Sequence, residues 1–286
     1  RSTPKPSSAA SDVYKRQSSG PEFESWLRHH LEIRLKRIDE DEEAWVAFPH
    51  HRWVFNKLDV AFRLGYHAGP ACVPVEKDGM YIVRPIYNLY GMSVGAKKQW
   101  LRIQDAEDIK SHRFIPAGHF WCEFFEGTHY SIDYRWVEDG KGGIHSHWEP
   151  FCTTIGKNHP DQMWKFTHWQ TIKNIPHLLP SWLDGFSDCG VINIEWKRNG
   201  SPDNHGGSAL DNRLLEIHLR TGNDVVHEGP VGTEMIPVWQ SDGIRLIKKY
   251  EAQGWVYHNN YINGEIYHAD GQISDPRVGY LTRCKL

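Results

Sequence analysis

Two short stretches of alternating polarity hold the side chains best suited to chemistry. Ile192, Ile194 and Trp196 alternate with Asn193, Glu195 and Lys197, and Leu215, Ile217 and Leu219 alternate with Glu216, His218 and Arg220. Residues two apart on a strand share a face and sit roughly 6–7 Å apart, so each stretch predicts one apolar and one polar face. Taken as an antiparallel pair, the two strands can turn Glu195, Glu216 and His218 toward one another. Two carboxylates on one face repel unless a cation neutralises them. Mg²⁺ suits such a pair, because it takes oxygen ligands, typically one or two carboxylates together with phosphate. Arg220, next on the same face, offers a forked donor set for phosphate or carboxylate. An exposed sheet face with ordinary polar residues would show the same alternation.

Composition narrows the setting. The 286 residues suffice for one large or two small domains. Hydrophobic content of 39% and charged content of 24% are ordinary for a soluble chain, while 13 Trp and 18 His fit half-buried strands and polar pockets. A net charge of −3 argues against a nucleic-acid partner. No apolar run approaches the ~18–20 residues of a membrane span, and no signal-peptide core is present. Cys72, Cys122, Cys152, Cys189 and Cys284 are odd in number, scattered and never spaced as CxxC. Buried thiols in a reducing cytoplasm are the expectation. Arg34, Lys36 and Arg37 face the acidic run from Asp39 to Glu43, which reads as a solvated helix end.

Positioning elements follow from periodicity. Residues 1–20 are Ser/Pro-rich, and Ser11 to Gln17 resembles translated adaptor sequence, so this stretch is expected to be a disordered or non-native leader. Phe23, Leu27, Leu31, Leu35 and Ile38 predict an amphipathic helix. A second helix is predicted from Asn56, as N-cap, to Gly65. Met80 to Pro85 predicts a strand and Asn88 to Ala96 a loop. His119 to Phe125, apolar on both faces, predicts a strand covered on both sides. With the turn at Glu126-Gly127-Thr128 and the alternation from His129 to Trp136, it reads as a β-hairpin. Residues from His159 to Leu183 are expected to be helical, and Arg198 to Asn212 forms a polar loop. The class is therefore α+β.

In their order along the chain, these segments resemble the ATP-grasp superfamily, which includes carbamoyl phosphate synthetase, biotin carboxylase and D-alanine–D-alanine ligase. Asn56-Lys57-Leu58 is similar to the Asp-Lys-Leu that opens the family's module. Tyr81-Ile82-Val83-Arg84-Pro85 and the loop to Gly95 resemble the strand and glycine-containing loop that clasp ATP, with Arg84 where Lys is usual. Cys122-Glu123-Phe124-Phe125-Glu126-Gly127-Thr128-His129 resembles the adenine hinge, with His129 where a ribose-binding Glu usually stands. Gly190 to Trp196 followed by Leu214 to Arg220 resembles the metal-binding end, with His218 at an Asn position.

The resemblance implies two α+β lobes with antiparallel sheets clasping Mg-ATP. Residues 21–120 would form an N-terminal helix and first lobe, 121–237 the second lobe with the metal site, and 238–286 an extension packed on it. Lys57, Arg84, Cys122, Glu123, Phe124, Phe125 and His129 would bind the nucleotide. Glu195, Glu216 and His218 would hold Mg²⁺. Arg84 and Arg220 would serve catalysis. The implied reaction passes the γ-phosphate to a carboxylate, and an amine or peptide captures the acylphosphate. Members usually carry a further N-terminal α/β domain, so a truncated chain and a stand-alone or degenerate grasp both stay open. A non-catalytic nucleotide-binding accessory protein and a Trp-rich sugar-binding module are the alternatives. His145 and His147 read as surface histidines. Lys157, Lys165 and Lys173 are further candidates for a phosphate contact.

Overall fold

Period-two alternation dominates the chain, and antiparallel sheets result. The computed structural model describes residues 38, 40–89, 95–103, 115–138, 146–160, 162, 165–175, 179–199, 212–222, 230–259, 261–262, 265–266 and 275–284. From residue 40 onward they belong to one unit, Asp39–Leu286. The leader, the helix predicted over 23–38, His145 and the middles of the loops at 88–96 and 198–212 lie outside the described residues.

Helix α1 (Asp41–Ala47), a first 3-10 helix (Pro49–Phe55) and helix α2 (Lys57–Arg63) open the unit. The Asn56 side chain accepts from Asp59 N at 3.0 Å, which caps α2 as predicted. Strands β1 (Ala68–Pro70), β2 (Gly79–Pro85), β3 (Lys97–Leu101) and β4 (His119–Glu123) form a sheet in the order β1-β4-β2-β3. Tyr81, Val83, Leu101 and Trp121 are buried on one of its faces. Phe120 and Cys122 pack on the other against Leu58 and Ala61 of α2. Thus β4 is covered on both faces, as its apolar run predicts.

The second sheet has the order β11-β14-β10-β7-β6-β5-β8-β9. It contains β5 (Thr128–Val137), β6 (His147–Asn158), β7 (Phe166–Ile172), β8 (Val191–Arg198), β9 (Asn212–His218) and β10 (Thr233–Trp239). Helix α3 (Gly243–Glu251), β11 (Val256–Asn259), a small ribbon of β12 (Tyr261–Ile262) with β13 (Glu265–Ile266), and β14 (Arg277–Cys284) complete the chain. Tyr130, Ile132 and Tyr134 of β5 are buried, and so are the alternating His129, Ser131 and Asp133. The polar face of β5 is therefore interior. Asn193 Nδ2 donates to Ser131 Oγ at 2.9 Å and to Asp133 Oδ1 at 2.7 Å, and Gly222 N donates to Asp133 Oδ1 at 2.8 Å. Leaving such a group unmet would cost about 1–3 kcal/mol each.

Several expectations are corrected. The strand at 119–123 and the strand at 128–137 do not pair; β4 belongs to the first sheet and β5 to the second. Residues 124–127 carry the chain across, so the expected boundary at 120/121 falls inside β4. Gly127 makes the crossing possible: its φ is 111°, and a Cβ there would stand 2.2 Å from the Arg198 carbonyl oxygen. No described residue of 159–183 is α-helical. Instead, β7 pairs with β6, and a second 3-10 helix runs over Ser181–Cys189. Trp169 and Thr171 are buried on one face of β7, a period of two that cross-strand pairing enforces. The thiols are free, but Cys72 and Cys284 are exposed rather than buried. Among the described residues, no helix is long and apolar enough to cross a membrane.

The residues after 238 extend the second sheet through β14 and β11, and Asp275 helps fasten them. Its carboxylate accepts from Lys165 Nζ, from Ser241 N at 2.8 Å and from Ser241 Oγ at 2.7 Å. Lys165 is thus committed to an ion pair, whereas Lys157 and Lys173 are exposed. Burial pushes Asp275 up, but the Lys165 and Ser241 hydrogen bonds outweigh it and hold the carboxyl below its usual range. A carboxyl lowered in the folded state contributes stability above its unfolded pKa, about 3.9, and loses it as pH falls through the folded value. Asp275→Asn should therefore lower the unfolding free energy by about 1–2 kcal/mol at neutral pH. The gap to the parent should close in acid, and urea unfolding of both proteins at neutral and acid pH measures it.

Candidate functional site

Between α2, β2 and β4 on one side and β5, β8 and β9 on the other lies a cleft of about 360 Å³. Ala61, Ile82, Cys122, Phe124 and Leu214 give it an apolar wall, and Lys57, Arg84, Glu195 and Glu216 give it a charged end. An apolar cleft with a few convergent polar groups is the usual form of a small-molecule site.

The charged end is built by a register shift. Glu195 pairs with Glu216 across β8 and β9, but Trp196 pairs with Leu214, so Leu215 is the extra residue of a β-bulge. A bulge takes its extra residue out of the ladder. Arg84 uses that opening: Nη1 donates to Glu216 Oε1 at 2.8 Å and Nη2 to the Leu215 carbonyl at 3.1 Å. Lys57, at the start of α2, places Nζ 2.7 Å from the other Glu216 oxygen. Burial pushes Glu216 up and Glu195 adds to the push, yet Lys57 and Arg84 hold it below its ordinary range. Glu195 is held well below its own range by His129 and His218, against the upward push of burial.

His218 stands behind the carboxylate pair. Its Nε2 is 3.7 Å from Glu195 Oε1 and 3.7 Å from Glu216 Oε2. One ligand atom from each of Glu195, Glu216 and His218 lies within 4.8 Å of the others. Asp41 of α1, 1% exposed, faces His218 Nδ1 at 2.8 Å and Arg220 Nε at 2.9 Å. Burial disfavours a charged imidazole, but Asp41 raises His218 to about 9. Asp41, Glu195 and Glu216 are thus matched by Lys57, Arg84 and Arg220, with His218 in addition. The alternative of an exposed polar face does not hold: Glu216 is 8% exposed, His218 7% and Arg220 7%.

Of the sequence-predicted residues, the structure brings Lys57, Arg84, Cys122, Glu123, Phe124, Phe125, His129, Glu195 and Glu216 to one cleft. Arg220 does not line it; Asp41 and the Thr221 carbonyl, 2.9 Å from Nη1, hold that guanidinium outside the cleft. His129 turns Nε2 to Glu195 Oε2 at 3.3 Å and packs against the Phe166 and Trp169 rings. Burial pushes the Cys122 thiol up to about 12, so it packs rather than reacts. Glu123 N and Phe124 N donate to the His67 and Met80 carbonyls at 2.9 and 3.3 Å.

Sequence reasoning missed Asp41, which is buried and ion-paired rather than part of a solvated helix end. The available signal was that two buried cations on one strand, His218 and Arg220, require an acid from elsewhere. It also missed Lys98 and Lys197, which line the cleft. Lys197 Nζ donates to Asn158 Oδ1 at 3.1 Å and the Gly127 carbonyl at 3.3 Å.

No protein-family model matches the sequence, and no curated protein does. Among solved structures, the chain is similar to N5-carboxyaminoimidazole synthetase from Staphylococcus aureus complexed with ADP, at 10% identity and a TM-score of 0.46, covering 81% of this chain and 68% of that one. It is similar to L-amino acid ligase from Bacillus licheniformis at 11% and 0.44, covering 81% and 66%. Carboxyaminoimidazole ribonucleotide synthase from Aspergillus clavatus complexed with ATP matches at 9% and 0.44, covering 82% and 69%. A further similar structure, a putative ATP-grasp superfamily protein from Archaeoglobus fulgidus, matches at 11% and 0.33, covering 65% and 57%. The chain spans about two thirds of the length of each of the first three.

Removing one member of a buried ion pair leaves the others uncompensated, at a cost of about 3–5 kcal/mol. Asp41→Asn should destabilise the protein by that amount. Glu42→Gln, on the exposed side of the same helix, should stay within about 0.5 kcal/mol of the parent. Denaturant unfolding compares the two directly.

Proposed function

We propose that this protein binds Mg-ATP in the cleft and activates a small carboxylate as an acylphosphate, which an amine or peptide captures. One observation carries the reading: Lys57 and Arg84 from one side of the cleft converge on Glu216 from the other, with Glu195 across from it and an apolar wall beside it. Phosphoryl transfer asks mainly for positioning and charge neutralisation, and it needs no protein nucleophile. The residues here are of that kind.

In this reading the apolar wall formed with Cys122, Glu123, Phe124 and Phe125 receives the base, and His129 orients Glu195. Lys57 and Arg84 move from Glu216 to phosphate oxygens when a triphosphate enters. Arg84 suits the exchange because its fork can hold a phosphate as it holds Glu216 and the Leu215 carbonyl. The donor set fits a divalent cation: two carboxylates face each other, and His218, on giving up its Nε2 proton to the incoming cation, presents Nε2 while Asp41 holds Nδ1, an arrangement common behind metal-binding histidines. Glu195, Glu216 and His218 would hold Mg²⁺, which when bound supplies positive charge to the transferring phosphoryl group. The setting proposed is the cytoplasm.

A second reading, a nucleotide binder without turnover, is favoured by one observation. Asp41 keeps Arg220 out of the cleft, so its expected part in catalysis has no support in position. The sugar-binding alternative gains nothing, because Trp169 is 4% exposed and Trp182 packs against Trp53.

Calorimetry with ATP in the presence and absence of Mg²⁺ tests the binding. The parent should show Mg-dependent affinity, and Glu216→Gln should lose that dependence while keeping its fold. Arg84→Met and Lys57→Met should each weaken Mg-ATP binding by about tenfold or more, the effect of losing one charge-assisted contact. Unchanged affinity in all three variants would remove the site assignment. ADP release on adding amino acids or peptides separates the ligase from the binder.

A further inference from the structure

A second group of metal-ligating side chains stands apart from the charged end of the cleft. His51 lies in the first 3-10 helix, and Asp188 and Cys189 end the second. Among the described residues, one ligand atom from each of these three lies within 4.8 Å of the others. His51 Nε2 is 2.7 Å from Asp188 Oδ1, and Cys189 Sγ is 4.0 Å from the same oxygen. The elements that present them are already packed together. The His51 ring lies 4.8 Å from Phe186, and Trp53 lies 5.5 Å from Trp182 and 5.4 Å from Phe186. The donors are therefore assembled by the fold before any ion arrives, which removes most of the ordering cost of binding.

A thiolate, an imidazole and a carboxylate together suit Zn²⁺ and its borderline neighbours rather than Mg²⁺ or Ca²⁺. Around a tetrahedral zinc, with Zn–S near 2.3 Å and Zn–N or Zn–O near 2.0–2.1 Å, ligand atoms are separated by roughly 3.3–3.5 Å. The observed 2.7 Å and 4.0 Å fall on either side of that range, so side-chain shifts of roughly 1 Å or less would satisfy it.

We propose that His51, Asp188 and Cys189 form a binding site for a Zn²⁺-class transition-metal ion that clamps the two 3-10 helices. Water would complete the tetrahedron. Cys189 loses its proton to solvent on binding, and no electron is transferred. The clamp joins two segments that feed the cleft: the first 3-10 helix runs through Asn56 into Lys57, and the second runs through Gly190, φ 72°, into β8 and Glu195. This site does not rest on the nucleotide reading.

Cobalt titration of the full, reduced, metal-free chain tests it. Co²⁺ bound by a thiolate in a tetrahedral site gives a sulfur-to-metal charge-transfer band in the near ultraviolet with visible d–d bands, which Zn²⁺ abolishes by displacement. The parent should show these bands at one equivalent. Cys189→Ser should lose the charge-transfer band, and His51→Gln should lose the tetrahedral visible bands. Cys72→Ser, Cys284→Ser and Glu216→Gln should keep both. Absence of a thiolate band in the parent, its survival in Cys189→Ser, or its loss in either of the other cysteine variants overturns the proposal. Should Cys189→Ser fail to fold, His51→Gln decides: parent-like spectra there reject the site.

Discussion

Glu216 is a carboxylate 8% exposed, and its desolvation is the constraint that organises the molecule around it. An isolated charge at such a position would cost several kcal/mol, and one partner alone rarely compensates it. Lys57 and Arg84 therefore both reach it, and both come from the far side of the cleft. The ion pairs hold the two sides in register at the charged end, while the middle stays open. The β-bulge adds a geometric condition, because Arg84 can satisfy its fork only if the Leu215 carbonyl is out of the ladder. One buried charge thus couples the N-terminus of α2, the end of β2 and the register of β8 with β9.

Behind this front a second layer is fixed differently. Asp41 binds His218 and Arg220, while Asn193 joins Ser131 to Asp133 on the same polar face of the second sheet. Networks whose members are satisfied in a low-dielectric interior are stiff, and each member raises the cost of losing another. The polar faces of β5, β8 and β9 therefore act as a rigid floor. The polar side chains that the alternation places on one face share a single buried network, and the apolar side chains opposite them form the core.

Legibility in the sequence follows the range of the interaction. The common face of Glu195, Glu216 and His218 could be read because strand geometry has a period of two and both stretches alternate cleanly. The N-cap at Asn56 was legible for the same reason, since its partner is three residues away. By contrast, 177 positions separate Asp41 from His218, and no local pattern marks that pair. The region after His159 was misread because Trp and Phe at mixed spacings fit a helix or a strand equally, and only pairing with β6 decides. At 119–137, two strands joined by a short glycine turn have the local signature of a hairpin. The Arg198 backbone lying against Gly127 shows that the turn instead passes between sheets, a contact the sequence cannot display.

The two sets of cations therefore differ in kind. Arg220 and His218 are tied to an acid of their own, Asp41, and cannot leave it without stranding a buried carboxylate. Lys57 and Arg84 have Glu216 as their acid among the described residues, and it lines the cleft where a ligand would sit. A divalent cation at Glu216 would repel them and a phosphate would attract them, so both arrivals push the same exchange in the same direction. On the proposed reading, metal and nucleotide each make room for the other. Because Glu216 holds both cations before a ligand arrives and the ligands would replace them, no buried charge is left without a counter-charge at either end of the exchange.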